Sequence, residues 1–279
     1  MELAEKNKIG YAFYPNSIYK KYGVYLDDIN MDEWYDKLKN DEDIIKKEIN
    51  PRQMLTKIAQ MQQESGYPYV VFIDTANKEH ILKDVGMIKM SNLCCEIFQY
   101  QTGSDIKGYG GENIWGQDIS CNLGSLNIAN VMDNKDIEKT VDTAIRALSF
   151  VSDKTDIKEV PTIKNGNSSS HAIGLGAMNL HGYLVRENIL YTSEEAIDFS
   201  NVFFATIRYY AIKTSMEISI EKNTTFEGFE KSEYAKDKKV VFFPNIIKSL
   251  FYQKQKKYPI YLKVYIFLRH LIGLSYLIK

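Results

Sequence analysis

Cysteine, proline and tryptophan are scarce in this chain of 279 residues, which contains three, six and two of them respectively. Three cysteines, two of them adjacent at Cys94 and Cys95, exclude a disulfide-rich scaffold. In the tail, the longest uncharged run, 270–278, is too short to cross a bilayer as a helix. The first ten residues include four charged ones and no apolar run, unlike a secretory signal. We therefore expect a cytoplasmic protein with no membrane partner.

Acidic residues are absent from residues 240–279, although this tail holds seven of the 35 basic residues. The body, residues 1–239, carries the other 28 basic residues and all 36 acidic ones, so its formal charge is −8 against +7 for the tail. A body of that charge is a poor partner for nucleic acid, since affinity for phosphates comes largely from lysine and arginine. The hydrophobic content of 44% predicts a folded core.

The first half of the chain shows three local patterns. Residues 50–64 have helical apolar spacing, with Asn50 as a cap and Pro51 at the first helical position. Residues 67–73 (YPYVVFI) are dense in aromatic and β-branched side chains and predict a buried strand. Residues 102–117 are rich in glycine and predict a loop.

The second half predicts one interrupted strand and three helices. Residues 118–131 alternate like a strand that is interrupted at Gly124, and an apolar stripe from Ile137 to Val151 predicts a helix. Residues 171–184 combine helical spacing with three glycines, and the longest helix is expected from after Thr192, with Glu195 in a capping box, to about residue 222. Strands separated by helices predict an α/β fold, a sheet or barrel covered by helices.

The segment 90–97 (MSNLCCEI) has the strongest chemical pattern. If it is extended, Asn92, Cys94 and Glu96 face one way and the apolar residues the other. A thiol between a carboxylate and an amide can carry out nucleophilic or radical chemistry on a polar substrate. The competing interpretation is that all three cysteines are inert core residues.

Other site types have weaker support. A zinc site is disfavoured because the chain has no CxxC pair and only four histidines. His171 and His181 are expected on one helix, ten residues apart, without sharing a close face. A cysteine-dependent hydrolase would need a histidine within reach of Cys94 and a separate oxyanion site. A binding or structural protein with inert cysteines is the third alternative.

Several segments, in order along the chain, strongly resemble the large (alpha) subunit of class I ribonucleotide reductase, nearest to the class Ib type. They are ESGYPYVVFIDTAN at 64–77, MSNLCCEI at 90–97, DISCNLGSLNIA at 118–129, SSSHAIGLGAMNLHGYL at 168–184 and TSMEISIEKNTTFEGFEKSEYA at 214–235. The resemblance runs from about residue 10 to about residue 238. Several motifs in one order are far more specific than a single match.

The resemblance implies an α/β fold, part of a ten-stranded α/β barrel with a central finger loop, and reduction of ribonucleoside diphosphates to deoxyribonucleotides for DNA synthesis. By position, Cys94 matches the cysteine whose thiyl radical removes hydrogen from the 3′ carbon, and Glu96 the carboxylate that takes the 3′-hydroxyl proton. Asn92 matches the amide that holds the substrate and the reacting groups. Cys121 matches one of two cysteines that reduce the 2′ position and close to a disulfide.

The same resemblance implies partners rather than a cofactor in this chain. The radical would come from a metal-containing small (beta) subunit, and the electrons from an external dithiol such as a glutaredoxin- or thioredoxin-like protein. The family also binds ribonucleoside diphosphate substrates and nucleotide effectors, and forms homodimers. No metal site and no cofactor site are expected within this chain.

The departures from the family predict an incomplete enzyme. The second reducing cysteine of the family lies upstream of the match, and no cysteine precedes Met90 here. The phosphate-binding loop, the radical-carrying tyrosine pair and the terminal cysteines should follow residue 240, and none is recognisable there. We therefore expect a partial barrel domain at 1–239, inactive alone, and an unrelated tail at 240–279 that resembles an out-of-frame reading of an A/T-rich gene.

Overall fold

A computed structural model describes residues 2–236 of the chain. These residues form two compact units: the first comprises residues 2–76 and Lys89–Glu96, and the second comprises Asn77–Ile88 and residues 97–236. The expected boundary at residue 239 and the tail 240–279 lie outside the described residues.

The first unit is mainly helical. Its elements are α1 (Glu2–Glu5), β1 (Gly10–Phe13), α2 (Pro15–Tyr22), a 3-10 turn (Leu26–Asp28), α3 (Met31–Asn40), β2 (Lys46–Ile49), α4 (Pro51–Ser65) and α5 (Ile73–Glu79), whose last residues belong to the second unit.

The core of the first unit is small and lies beside an antiparallel pair of strands. β1 pairs with β2 from Gly10 opposite Ile49 to Phe13 opposite Lys46. The fully buried residues are Ile18, Leu38 and Ile44, with Trp34 and other partly buried side chains packed around them. The ammonium of Lys46 donates to the carbonyl oxygen of Asp41 over 2.7 Å, which satisfies a backbone acceptor at the carboxyl end of α3.

The second unit contains the larger core. Its elements are β3 (Leu123–Asn127), α6 (Ile128–Asn134), α7 (Ile137–Lys154), α8 (Pro161–Ser170), β4 (Gly174–Met178), α9 (Leu180–Arg186), α10 (Glu194–Lys222), a 3-10 turn (Phe229–Lys231) and α11 (Glu233–Lys236).

Helices α6, α7, α9 and α10 pack around the parallel pair formed by β3 and β4. The largest fully buried side chains are Tyr183, Phe199 and Phe203, and the Tyr183 and Phe199 rings stack with centroids 4.8 Å apart. Gly174 lets the two strands approach closely, because a Cβ there would lie 2.6 Å from the Leu123 side chain. This core places the amino end of β3, and therefore Cys121 just before it.

The expected helices at 50–64 and from Ile137 are confirmed as α4 and α7. The Asn50 side chain accepts the Gln53 N–H as predicted. The long helix is confirmed as α10, but its cap is Ser193 rather than Thr192: the Ser193 Oγ accepts the N–H of Ala196. A capping side chain must be the last residue before the helix, so the boundary lies one residue later than expected.

Three expected elements are wrong. Residues 67–73 form no strand in the first unit, and most of their large side chains are exposed, Phe72 at 73%. The strand expected over 118–131 forms only at Leu123–Asn127, and it is not interrupted at Gly124, which pairs with Leu175. It ends at Asn127 because this residue caps α6. The helix expected over 171–184 is instead β4 followed by α9, which also separates His171 from His181. Pairing with β3 outweighs the local helical spacing of that segment.

The four strands described between residues 2 and 236 form two separate two-stranded sheets, so no sheet within this range closes into a barrel. The mixed helix and sheet content agrees with the expected α/β class and with an incomplete barrel. None of the helices in this range is long and apolar enough to cross a membrane.

Candidate functional site

A tight turn in the first unit carries three of the four predicted reactive side chains, and we call residues 91–96 the cysteine turn. The N–H of Cys95 donates to the carbonyl oxygen of Asn92 over 3.1 Å, which closes a β-turn. The N–H of Glu96 donates to the Asn92 Oδ1, also over 3.1 Å. The structure therefore brings Asn92, Cys94 and Glu96 together through a backbone turn.

The expected alternation of side chains along an extended segment is wrong. Cys95 has a φ of 60°, in the left-handed region, so the chain direction changes between Cys94 and Glu96. Cys94 and Glu96 are exposed and Asn92 is half-buried, but Leu93, expected on the buried apolar face, is 82% exposed. Asn92, Cys94 and Glu96 therefore lie in one turn, but they do not form a reactive face opposite an apolar one.

Lys89 ties the segment before the cysteine turn to the 3-10 turn Leu26–Asp28. Its ammonium lies 2.5 Å from a carboxylate oxygen of Asp28 and 3.3 Å from one of Asp27. The hydrogen bond to Asp28 is the main cause that raises the pKa of Lys89, so this amine stays protonated. These ion pairs anchor the segment that leads into the cysteine turn.

Two exposed tyrosines lie near the thiols of the first unit. The Tyr67 and Tyr69 rings are tilted with centroids 5.0 Å apart. A hydrogen bond with Tyr67 is the main cause that raises the pKa of Tyr69, and the nearby Cys94 and Cys95 add a smaller electrostatic effect in the same direction. Sequence reasoning assigned this segment to a buried strand and missed the two phenols, although the YPY spacing was visible.

Cys121 belongs to the second unit and is exposed on the segment that leads into β3. The Ser120 Oγ donates to the Asn167 Oδ1 over 2.6 Å, and the N–H of Gly174 donates to the carbonyl oxygen of Asn122 over 2.8 Å. These bonds from α8 and β4 hold both neighbours of Cys121 in place.

Gly166 on α8 allows this arrangement, because a Cβ there would lie 1.8 Å from the carbonyl oxygen of Asp118. The backbone of α8 therefore approaches the segment before Cys121 more closely than any side chain would permit.

The expectation that all three cysteines lie in a core is wrong. Cys94 and Cys121 are exposed and Cys95 is half-buried. The first unit contains no histidine, so the cysteine turn has no cysteine–histidine pair within its own unit. Across residues 2–236 there is no group of three or more histidine, cysteine or acidic side chains that could hold a metal ion.

A polar cleft of about 460 Å³ lies between α7 and α10 in the second unit. The Arg146 guanidinium forms two parallel hydrogen bonds with the Glu221 carboxylate, at 2.7 and 2.8 Å, and its Nε donates to Asp142 over 2.9 Å. The hydrogen bond to Glu221 is the main cause that raises the pKa of Arg146. Paired charges of this kind link the two helices and give the cleft a structural role.

Residues 1–257 match the protein family described as ribonucleotide reductase, barrel domain. The chain is 48% identical over 235 residues to the ribonucleoside-diphosphate reductase subunit alpha of Bacillus subtilis, covering 84% of this chain and 34% of that protein. It is 40% identical over 269 residues to the protein of the same name from Mycoplasma pneumoniae, covering 92% of this chain and 37% of that one. The chain spans about a third of the length of these relatives.

Proposed function

Because the chain belongs to the ribonucleotide reductase barrel-domain family, we propose that it supplies part of the site that reduces ribonucleoside diphosphates to deoxyribonucleoside diphosphates. The observation that carries this proposal is the cysteine turn, in which the amide, thiol and carboxylate of the proposed site lie within five residues of backbone. We propose further that this chain forms part of a ten-stranded barrel, with the cysteine turn at the tip of its central finger loop.

The proposed chemistry assigns one role to each side chain of the cysteine turn. Cys94, as a thiyl radical, removes a hydrogen atom from the 3′ carbon of the ribose. Glu96 accepts the proton of the 3′ hydroxyl, a role for which its exposed carboxylate is suited. Asn92 orients the substrate, and its Oδ1 bond to the Glu96 N–H supports this role because it fixes the amide side chain against the backbone of Glu96.

Reduction at the 2′ position needs two thiols, which lose two electrons and two protons and close to a disulfide while the 2′ oxygen leaves as water. We assign one of these thiols to Cys121, and its exposure supports access to substrate and to a reductant. The family's second reducing cysteine has no counterpart before Met90 in this chain, so a complete cycle needs a thiol from outside it.

The proposed partners follow from the same family assignment. A metal-containing small subunit would generate the radical, an external redoxin would restore the dithiol, and the whole subunit would bind nucleotide effectors and dimerise. We keep the boundary near residue 239 as a proposal that rests on charge and motifs, although the family match continues to residue 257. Reading the gene in another frame after residue 238 should recover the phosphate-loop and tyrosine motifs, and their absence from both other frames would count against this boundary.

The two alternative functions lack support in the described residues. A cysteine hydrolase needs a histidine beside its thiol, and the first unit has none. A structural protein with inert cysteines is disfavoured by the exposure of Cys94 and Cys121.

A chimera tests the proposed function. The matched segment of the Bacillus subtilis subunit alpha is replaced by the equivalent residues of this chain, and reduction of a ribonucleoside diphosphate is measured with the small subunit and a dithiol. We expect turnover that Cys94→Ala abolishes and that Glu96→Gln lowers by about 10²-fold or more. The control is Lys57→Ala on the exposed surface of α4, which should leave turnover unchanged.

Turnover that survives Cys94→Ala in this chimera would refute the assigned radical role. The unaltered chain should show no turnover under the same conditions, and measurable activity would refute the view that it is incomplete alone.

A further inference from the structure

The second cysteine of the adjacent pair has a contact that the proposed chemistry does not use. The Cys95 Sγ lies 3.3 Å from the Ser91 Oγ, and the same Oγ lies 3.0 Å from the carbonyl oxygen of Asn92. Cys95 was expected only to pack on the apolar face of the segment, and Ser91 carried no prediction. Both are half-buried, and their contact spans the same turn that Asn92 closes by accepting the N–H groups of Cys95 and Glu96.

We propose that Ser91 and Cys95 are positioning residues: their hydrogen-bonded contact holds the cysteine turn in the conformation that presents Cys94 and Glu96. This inference rests on the proposed function for what the turn does. The conformation of the turn itself can be tested without that function. The two cysteines then have separate tasks, since Cys94 is presented outward while Cys95 is bonded inward.

One arrangement of hydrogens satisfies both contacts of Ser91. A hydroxyl has a single hydrogen, so it cannot donate to the sulfur and to the carbonyl at once. With the Cys95 S–H donating to the Ser91 Oγ, the Ser91 O–H is left to donate to the Asn92 oxygen, and each polar group has a partner. This chain of bonds engages the thiol hydrogen of Cys95 and sets Cys95 apart from the exposed Cys94 in reactivity.

The contact between Ser91 and Cys95 is important because the backbone at Cys95 is in the left-handed region. A φ of 60° is unfavourable for a residue with a Cβ, and persists when surrounding interactions compensate for it. The Ser91 contact and the Asn92 carbonyl bond are the two compensating interactions at this residue. Displacement of reacting atoms by about 1 Å can cost about 10²-fold in rate, so a turn that holds this backbone also holds the geometry of the reaction.

Hydrogen exchange of the backbone amides in the full chain tests the proposal without any reductase assay. Exchange is measured at Cys95 and Glu96 in four variants, Ser91→Ala, Ser91→Thr, Cys95→Ser and Cys95→Val. Ser91→Ala removes the hydroxyl, and Cys95→Val adds a β-branched side chain that disfavours the left-handed region. Both should speed exchange at the two amides about fivefold, roughly the equivalent of one neutral hydrogen bond. Ser91→Thr and Cys95→Ser keep the hydrogen-bonding groups and should restore wild-type exchange.

Amides of β1 and β2 report on whether the first unit stays folded, and they should exchange as in the wild type in all four variants. Unchanged exchange at Cys95 and Glu96 in both Ser91→Ala and Cys95→Val would overturn the proposal, as would equal disturbance by Ser91→Ala and Ser91→Thr. If a variant disturbs the whole unit, the near-isosteric Cys95→Ser decides the matter, because loss of protection there would also overturn the proposal. These outcomes do not depend on turnover, so they are distinguishable from failure of the proposed function.

Discussion

At the scale of single residues, the three cysteines have three different environments. Cys94 is exposed on the cysteine turn, Cys95 is half-buried against Ser91, and Cys121 is exposed before β3. The sequence pattern singled out Cys94, and the family resemblance singled out Cys121, as candidates for chemistry; both thiols are exposed. It did not reveal the contact of Cys95, because the i to i+4 approach of Ser91 and Cys95 depends on the turn between them.

Exposure predicts an order of reaction with iodoacetamide. We expect Cys94 and Cys121 to be alkylated in the native chain several-fold faster than Cys95, whose thiol is bonded and half-buried. Peptide mass spectrometry after timed quenching measures the three rates, with the unfolded chain in urea as the control in which the rates converge. Protection of all three cysteines until unfolding would contradict this and would favour inert thiols.

His80 in the second unit predicts a pH dependence of stability. Burial, and to a smaller extent Lys83, lowers the pKa of His80, and its Nε2 has no hydrogen-bond partner among the described residues. The unfolded chain therefore binds a proton below pH 6.5 that the folded chain resists, so the free energy of unfolding should fall as the pH drops from 7 toward 5. One proton limits the slope to about 1.4 kcal/mol per pH unit.

Urea unfolding at a series of pH values measures this effect, and His80→Gln should flatten the dependence between pH 5 and pH 7 because the amide does not titrate. An unchanged slope in His80→Gln would assign the pH dependence to other groups.

At the scale of elements, local periodicity correctly predicted helices whose buried side chains lie on one face. α7 was predicted from its apolar stripe, and Ile137, Val141 and Ile145 are all buried. It failed at 171–184, because β4 forms by pairing with β3, from which it is about 50 residues away in the chain. A nonlocal partner of this kind is invisible to a local pattern.

Two neighbouring phenylalanines on α10 allow the effect of core packing on stability to be distinguished from the effect of helix propensity. Phe203 is 1% exposed and Phe204 is 45% exposed. Phe203→Ala should lower the free energy of unfolding by about 3–5 kcal/mol, the range for a buried phenylalanine. Phe204→Ala, the matched control, should lower it by about 1 kcal/mol or less, since little of its packing is lost. Circular dichroism during urea unfolding measures both, and equal losses would show that the α10 core is wrongly assigned.

At the scale of the whole molecule, large apolar side chains remain exposed in each unit. Phe72 and Leu93 in the first unit are 73% and 82% exposed, and Leu190 and Ile220 in the second are 72% and 71% exposed. Exposed apolar surface and unpaired strand edges favour association. The chain spans about a third of the length of its relatives.

This exposure predicts self-association of the isolated chain. Replacing Phe72, Leu190 and Ile220 together by serine should reduce binding of the dye ANS and shift sedimentation toward the monomer, with little change in the free energy of unfolding. Serine at three positions buried in the described core, such as Phe199, Val202 and Ile207, is the contrasting control and should instead unfold the second unit. Undiminished self-association of the surface variant would show that other residues form the associating surface.

The sequence by itself determined the family, the candidate residues Asn92, Cys94, Glu96 and Cys121, and the helices whose stripes and caps are local, α4, α7 and α10. These depend on residue type and spacing along the chain, which a sequence contains in full. Tertiary structure decided that 67–73 is not a strand, that β4 replaces a helix, and that Cys95 turns inward to Ser91. β4 depends on its pairing with β3, whose free energy outweighs the local helical preference, whereas no described strand pairs with 67–73.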